Sequence, residues 1–129
     1  MCEDLIVKKP REVRNRKNEV WIQFDSTHLL SNCGRWYSIP YKRIMKQHQN
    51  SSGYYRVKLQ GKHSFTHIKV VEYFGDINGS NLDNITSLFA NGLSIDHIDR
   101  NKKNNTCFNL EIVTHQENCI RRSRKVLVS

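Results

Sequence analysis

The part of the chain that decides its fold is residues 93–118, which read LSIDHIDRNKKNNTCFNLEIVTHQEN. The run at 93–98 predicts a strand, and the loop after it is rich in Asn and Asp, whose side chains favour tight local turns. Residues 110–113 predict a second strand. Thr114 is a good N-cap, and Glu117 three residues later completes a capping box at the start of a helix. The stretch therefore predicts strand, loop, strand and helix in succession.

Candidate catalytic side chains stand at the ends of these elements. Asp96 and His97 close the first predicted strand, and Asn118 lies in the predicted helix. A carboxylate and an amide carbonyl are oxygen ligands that suit a hard divalent cation, and a neutral imidazole suits a general base. Adjacent strand residues point to opposite faces, so Asp96 and His97 can serve one site only if the chain twists there. An Asp-His pair alone is more often a turn or salt-bridge feature, and the spacing to Asn109 and Asn118 is what favours catalysis.

This stretch resembles the HNH homing endonucleases of phages and mobile introns. The resemblance rests on Asp96-His97-Ile98-Asp99, Asn101, Asn104-Asn105, Asn109-Leu110, Val113-Thr114 and Glu117-Asn118. It implies a ββα-metal fold in which His97 is the general base and Asn109 orients it. It further implies that Asp96 and Asn118 bind one divalent ion, Mg²⁺ or Mn²⁺. His115, one turn from Asn118, is the alternative ligand, because some relatives use a His in this helix.

The upstream half predicts a small antiparallel sheet. Its candidate strands, residues 20–24, 34–39 and 54–59, are dense in β-branched and aromatic residues, and a helix over 66–74 would end at Gly75. In the third strand Val57 and Leu59 share one face, and Arg56 and Lys58 share the other. This half resembles the NUMOD4-like module often fused to the nuclease, whose strands lie against DNA. That resemblance rests on residues 31–35, 37–38, 53–59, 67–71 and Phe74.

The charge pattern indicates a polyanionic partner. The net charge is +9, and no acidic residue occurs between positions 26 and 71, whereas residues 72–99 contain acids and neither Lys nor Arg. Surplus Lys and Arg steer a protein to phosphates and release counterions there, although such runs can also be ordinary solvated surface. We expect duplex DNA as the partner. The candidate contacts are Arg35, Lys42, Arg43, Lys46, Arg56, Lys58 and Lys62.

The length of 129 residues allows one compact domain or two small modules that share a core. The fold class predicted is α+β, with a small antiparallel sheet module followed by the nuclease module. Residues 1–19 are expected to form a basic arm, weakly ordered or briefly helical. The other predicted segments are a DNA-binding module at 20–75, a connecting segment at 76–92, a nuclease module at 93–123 and a tail at 124–129. The connecting segment is expected to contain a loop and a short helix that runs from residue 82 or 83 to 90.

Other classes of protein are disfavoured. No apolar run is long enough for a membrane span. The first residues of the chain include acids and lack the apolar core of a secretory signal. We therefore expect a soluble, cytoplasmic protein, located in the host cytoplasm if it is phage-encoded. The four cysteines form no Cys-x-x-Cys pair, which argues against a structural zinc and favours reduced thiols.

The preferred hypothesis is a metal-dependent endonuclease that nicks or cuts duplex DNA, acting as a monomer or weak dimer. The main alternative is a non-catalytic DNA-binding protein derived from a nuclease, and a third is an RNA-binding or RNA-cleaving module. The remaining polar and aromatic residues have simpler interpretations. Asn101, Asn104 and Asn105 are predicted to form turns, His28, His48, His63 and His67 to lie on the surface or in packing positions, and Trp21, Trp36 and Phe74 to belong to the core.

Overall fold

The computed structural model of the chain describes residues 6–80 and 90–128, with side chains as far as Arg121. Its elements mix short strands and helices, as an α+β class requires. The strands are β1 Ile6–Val7, β2 Trp21–Gln23, β3 His28–Ser31, β4 Trp36–Ser38, β5 Arg43–Ile44, β6 His48–Gln49, β7 Tyr55–Leu59, β8 Lys62–Phe65, β9 Leu93–His97 and β10 Leu110–Thr114. The helices are α1 Thr66–Phe74 and α2 His115–Val128.

The strands form antiparallel sheets between chain neighbours. β1 to β5 make one sheet in sequence order, β6, β7 and β8 make a second, and β9 pairs with β10 as a hairpin. The link between β7 and β8 is a two-residue turn in which Gln60 (φ 49°) and Gly61 (φ 83°) both adopt the left-handed conformation that suits a tight hairpin. Local pairing of this kind needs only short connections.

Most predicted elements are confirmed. β2, β4, β7, β9 and β10 fall within or overlap the predicted strands, and α1 spans the predicted residues 66–74. Gly75, at φ 84°, ends α1, and its N–H donates to the Val71 carbonyl at 2.9 Å. In β7, Val57 and Leu59 are buried and Lys58 is exposed, as the pleat predicts. The predicted helix from 82 or 83 to 90 lies, apart from its last residue, outside the described residues.

Besides β1, the elements that the sequence did not predict are β3, β5, β6 and β8. Their sequences, HLLS, RI, HQ and KHSF, are not dense in β-branched and aromatic residues, and their backbone groups pair with the predicted strands β2, β4 and β7. In β8, Lys62 and His63 pair with Leu59 and Lys58 of β7.

The prediction of a loose or helical arm at the N-terminus is wrong for residues 6–19. β1 pairs with β2, and Val13 is buried in an apolar cluster with Trp21, Leu29 and Tyr37. The acids of this segment have partners too: Glu12 accepts a 2.5 Å hydrogen bond from the Tyr37 hydroxyl. Because its apolar and acidic side chains find such partners, the segment packs on the first sheet.

One apolar cluster joins the two halves of the chain. Its buried members are Ile22, Leu30, Trp36, Val57, Leu59, Val70, Val71, Phe74, Ile95, Cys107 and Leu110. The Trp36 indole N–H donates to Thr66 Oγ1 at 3.0 Å, and the Cys107 N–H donates to the Asn32 carbonyl at 2.8 Å. Trp21, Trp36 and Phe74 are buried, as predicted. The first sheet, α1 and the β9–β10 hairpin are therefore held against one another. In the described part of the chain, no helix has the length and apolar character to span a bilayer.

Candidate active site

The site is built on the β9–β10 hairpin and the helix that follows it. His97 pairs with Leu110, and Asp96 lies opposite Glu111. α2 starts directly after β10, and the Glu117 N–H donates to Thr114 Oγ1 at 3.0 Å, as the capping box predicts. This cap fixes the angle at which α2 leaves the hairpin and returns across it.

The Asp96 carboxylate is buried between two guanidinium groups. One oxygen accepts from Arg100 at 2.6 Å and the other from Arg121 at 3.0 Å. Arg121 also pairs with Glu111 at 2.6 Å and with Glu117 at 3.1 Å. Two carboxylates opposite each other on neighbouring strands repel, and Arg121 compensates that repulsion. Asp96 is thus a buried acid whose charge is balanced by two partly exposed cations.

Asn118 lies on the side of β9 that faces α2. Its Nδ2 donates to Ser94 Oγ at 3.1 Å, and Ser94 is two residues from Asp96, hence on the same face of the strand. The Asn118 side-chain Oδ1 is buried and has no hydrogen-bond partner among the described residues. Buried carbonyl oxygens are nearly always satisfied, so this one is available to a ligand.

His97 engages other neighbours. It is 5% exposed, and its Nε2 lies 2.7 Å from Asn105 Oδ1. Because the amide oxygen accepts, Nε2 carries the proton and Nδ1 keeps its lone pair. Burial lowers the pKa of His97, against the opposing effect of the Asn105 hydrogen bond, so the ring is neutral at cellular pH. The imidazole has the protonation state of a general base.

The orienting hydrogen bond to His97 comes from Asn105, which was predicted only to form a turn. Asn109, predicted to orient His97, instead contacts the loop: its Oδ1 accepts from the Asp99 N–H at 3.0 Å, and its Nδ2 donates to Asp99 Oδ1 at 2.8 Å and to the Asn104 carbonyl at 2.9 Å. Any effect of Asn109 on His97 would pass through the loop that carries Asn105. Its assignment to the site therefore stays a prediction.

Tyr54 and His67 are residues at the site that sequence reasoning missed. Their rings stack at a centroid distance of 4.8 Å, and the His67 ring lies 5.4 Å from that of His97. Tyr54 precedes β7 and His67 lies in α1, so nothing in their local sequence connects them with His97. Their proximity arises only when the second sheet and α1 pack on the hairpin.

A cavity of about 620 Å³ opens beside this group. Its lining includes Tyr54, Phe65, His67, Ser94, His115 and Asn118. His115 and Asn118 thus reach the same space, and the choice between them as ligands stays open in the described geometry. The cavity brings solvent to one side of the predicted metal ligand.

The donors of the predicted site fit a hard divalent ion. No group of three His, Cys, Asp or Glu side chains within residues 6–80 and 90–121 is arranged to hold a metal, so protein ligands would be few. The Asp96 carboxylate and the orphaned Asn118 Oδ1 are oxygen donors, which Mg²⁺ and Mn²⁺ prefer. Both carboxylate oxygens of Asp96 are already ion-paired with arginines. At least one of these arginine side chains must move for an ion to bind there.

The predicted DNA-contacting residues differ in their surroundings. Arg43, Lys46 and Lys58 line a second cavity of about 580 Å³ together with Tyr41, and Lys42 and Lys62 are exposed nearby in sequence. Arg56 is half-buried in β7. Arg35 is the exception: its guanidinium is ion-paired with the buried Glu19 and lies over the Trp21 ring. This geometry favours a structural role for Arg35 over a contact with DNA.

Residues 64–119 match the family model described as HNH endonuclease. Among solved structures, the chain is similar to one described as "DNA binding and cleavage by the HNH homing endonuclease I-HmuI", with 29% identity, a TM-score of 0.59 and coverage of 79% of this chain. The match spans 55% of that nuclease chain. No curated protein matches the sequence. The predicted α+β fold of the HNH endonuclease is thereby confirmed.

Proposed function

We propose that this chain is a divalent-metal-dependent DNA endonuclease of the HNH homing type, from a phage or mobile element. The observation that carries the proposal is the position of His97: it lies within the segment that matches the HNH endonuclease and is buried, neutral and fixed by one hydrogen bond. The similar nuclease I-HmuI is described as binding and cleaving DNA. We take residues 20–75 as the DNA-binding module and 93–123 as the nuclease module.

His97 would act as the general base. With its Nε2 proton committed to Asn105, its Nδ1 would accept a proton from the water that attacks the scissile phosphate. A hydrogen bond on one ring nitrogen fixes both the tautomer and the ring orientation, which is the role expected of a residue behind a catalytic imidazole. Asn105 supports this function directly and Asn109 would support it through the loop.

Asp96 and Asn118 would hold the metal ion from the α2 side of β9. When bound, the ion would supply Lewis acidity to a phosphate oxygen and to the leaving 3′ oxygen. His97 is the last residue of β9, and adjacent side chains of a strand point to opposite faces. A phosphate that meets both His97 and an ion on Asp96 and Asn118 would therefore lie at the end of the strand. Arg100 and Arg121, once released from Asp96, would be free to pair with phosphate oxygens.

DNA would bind through the basic residues of the N-terminal half. Arg43, Lys46 and Lys58 converge around one cavity, and no acidic residue occurs between positions 26 and 71 to offset them. Contacts of this kind position a duplex by its phosphates, and any that reach base edges would read sequence. The remaining contacts proposed are Lys42, Arg56 and Lys62.

A plasmid-nicking assay tests the activity. We expect the protein to convert supercoiled plasmid to the nicked form with Mg²⁺ or Mn²⁺ and not with EDTA. His97→Ala should slow nicking by about 10²- to 10⁴-fold, the usual contribution of general base catalysis, with the Kd for duplex DNA unchanged. His63→Ala, which removes an exposed histidine of β8, is the matched control and should nick normally. Equal loss of cutting and binding in His97→Ala would count against the assignment.

The second candidate is a DNA-binding protein without catalytic activity. It is favoured by the ion pairs that occupy both oxygens of Asp96. Under this hypothesis the protein binds duplex DNA, yet no divalent ion produces nicking at any concentration. The same assay with a wide Mn²⁺ series decides between the two candidates.

A further inference from the structure

We propose that His67 and Tyr54 are positioning residues that set the plane of the His97 imidazole. This inference rests on the proposed nuclease function, since it assigns residues that act through the general base. The three rings form one cluster, with centroid distances of 4.8 Å for Tyr54–His67, 5.4 Å for His67–His97 and 5.9 Å for Tyr54–His97. Ring contacts at these separations are attractive and depend on orientation.

Packing of the core alone does not explain why residue 67 is a histidine. The residue is 9% exposed, and its Nδ1 is buried without a partner among the described residues. The same face of α1 otherwise carries the apolar Val70, Val71 and Phe74. An unsatisfied buried nitrogen costs stability that a Leu or Phe would not, so such a group needs an explanation of another kind. Contact with His97 supplies one.

The charge state of His67 suits this contact. Burial, with a smaller effect of His97, lowers the pKa of His67 to about 3, so the ring stays neutral wherever the protein is folded and working. The neutral His67 ring therefore offers the His97 imidazole an uncharged contact surface.

The loop that follows β9 also contacts the cluster. The Lys102 ammonium lies 4.7 Å from the centre of the Tyr54 ring and donates to the Ser52 carbonyl at 2.7 Å. The same loop contributes Asn105, which holds His97 Nε2. His97 is therefore restrained twice: the Asn105 hydrogen bond fixes rotation within the ring plane, and the Tyr54 and His67 rings, tilted by 35° and 49° to the imidazole, limit how far that plane can turn.

Two substitutions at position 67 separate the effect of the ring contact with His97 from that of the imidazole nitrogens. We expect His67→Ala to lower the single-turnover nicking rate by about 10- to 100-fold, the scale of a misplaced catalytic group, with the Kd for DNA unchanged. His67→Phe keeps an aromatic ring and should restore the rate to within about threefold of wild type. His63→Ala controls for loss of an unrelated histidine.

A second measurement does not require activity. In protein labelled with ¹³C-histidine, the ring protons of His97, identified by their loss in His97→Ala, should shift in His67→Ala and stay near wild type in His67→Phe. If His67→Ala fails to fold, Tyr54→Ala and Tyr54→Phe give the same comparison from the other ring. A wild-type protein that never cuts DNA refutes the proposed function but leaves this spectroscopic test intact.

Three results would overturn the positioning role. The first is unchanged nicking together with unchanged His97 signals in a folded His67→Ala variant. The second is equal impairment of the Ala and Phe variants, which would show that an imidazole nitrogen of His67 matters and the ring contact does not. The third is a weaker Kd with a normal nicking rate, which would make His67 a DNA contact.

Discussion

Substituting Gly34 by Ala should disturb the loop between β9 and β10 that carries Asn105, the catalytic loop of the proposed site, because Gly34 lies against it. Gly34 lies in the turn between β3 and β4 with φ 79°, a conformation that L-residues rarely adopt. A Cβ built there would lie 2.7 Å from the Cβ of Asn105 and 3.0 Å from its carbonyl oxygen. Neither atom can rotate away, because both are part of or bonded to the backbone. Asn105 itself must move, and Asn105 holds His97.

The expected loss of stability has two parts. Placing Ala in the left-handed region costs about 1 kcal/mol. Forcing the two backbones apart is an overpacking strain of about 1–3 kcal/mol, for a total of about 2–4 kcal/mol. Gly61→Ala is the matched control: its φ is 83°, and nothing lies within 4 Å of its added Cβ. It should lose only the conformational part of about 1 kcal/mol.

Urea unfolding followed by tryptophan fluorescence measures both losses, and plasmid nicking measures the effect on the site. Without urea, and at a temperature where the variant is folded, we expect Gly34→Ala to cut about 10- to 100-fold more slowly than wild type. The reason is that the displaced Asn105 no longer orients the His97 ring. Gly61→Ala should cut normally. Equal destabilisation of the two variants, or normal cutting by a destabilised Gly34→Ala, would refute the reasoning.

Other predictions concern charges. Arg121→Gln should bind Mn²⁺ about tenfold more tightly by isothermal titration, because one of the two cations on Asp96 is gone; weaker binding would contradict a competition between Arg121 and the metal. Lys58→Ala should weaken DNA binding evenly across sequences and reduce the slope of log Kd against log salt by about 1, and an unchanged slope would remove Lys58 from the phosphate contacts. Burial raises the pKa of Glu19, but hydrogen bonds from Arg35 and from the Arg16 N–H outweigh it and lower the pKa overall. The stability due to Glu19 is therefore present above its unfolded pKa and is lost as pH falls through the lower folded pKa. Glu19→Gln should be less stable than wild type at pH 7 by about 3 kcal/mol. In unfolding curves measured in acid, this difference in the free energy of unfolding should close below about pH 4.

The second half of the chain was predictable because its signals are local. A capping box lies within four residues, an apolar run of five marks a strand, and both are read without knowing the rest of the fold. Thr114 caps α2 as expected, and β9 and β10 fall where the pattern places them. The resemblance to HNH endonucleases then singled out Asp96, His97 and Asn118, which the structure places on adjoining elements.

The N-terminal segment was not predictable for the opposite reason. Residues 6–19 look like a mixed-charge arm, and their order depends on partners that follow much later in the sequence. Glu19 meets Arg35 across 16 residues, and the Tyr37 hydroxyl reaches Glu12 across 25. A charge that finds a buried partner stabilises structure, whereas the same charge in water does not, and composition cannot distinguish the two cases.

The support of His97 shows the same limit at the site itself. Asn105 was one of several Asn residues in a turn-rich loop, and only the folded loop shows that its Oδ1 reaches His97 while Asn109 bonds within the loop. The resemblance named a positioning residue by its place in a motif. In the structure the direct contact with His97 comes from Asn105, four residues before Asn109. The path of the folded loop decides which amide faces the imidazole, and the order of residues in the motif does not.

Contacts from the N-terminal half of the chain hold the catalytic loop in place. Gly34 lies against Asn105, the Asn32 carbonyl holds the Cys107 N–H, and the Ser52 carbonyl accepts from Lys102. Each contact joins a turn of the proposed DNA-binding sheets to the loop that orients His97. A duplex that shifts those turns on binding would therefore move Asn105 and the rings around His97, whereas two modules joined only by a linker could not transmit such a shift. Proper aim of the general base would then require the DNA-binding half to be in place.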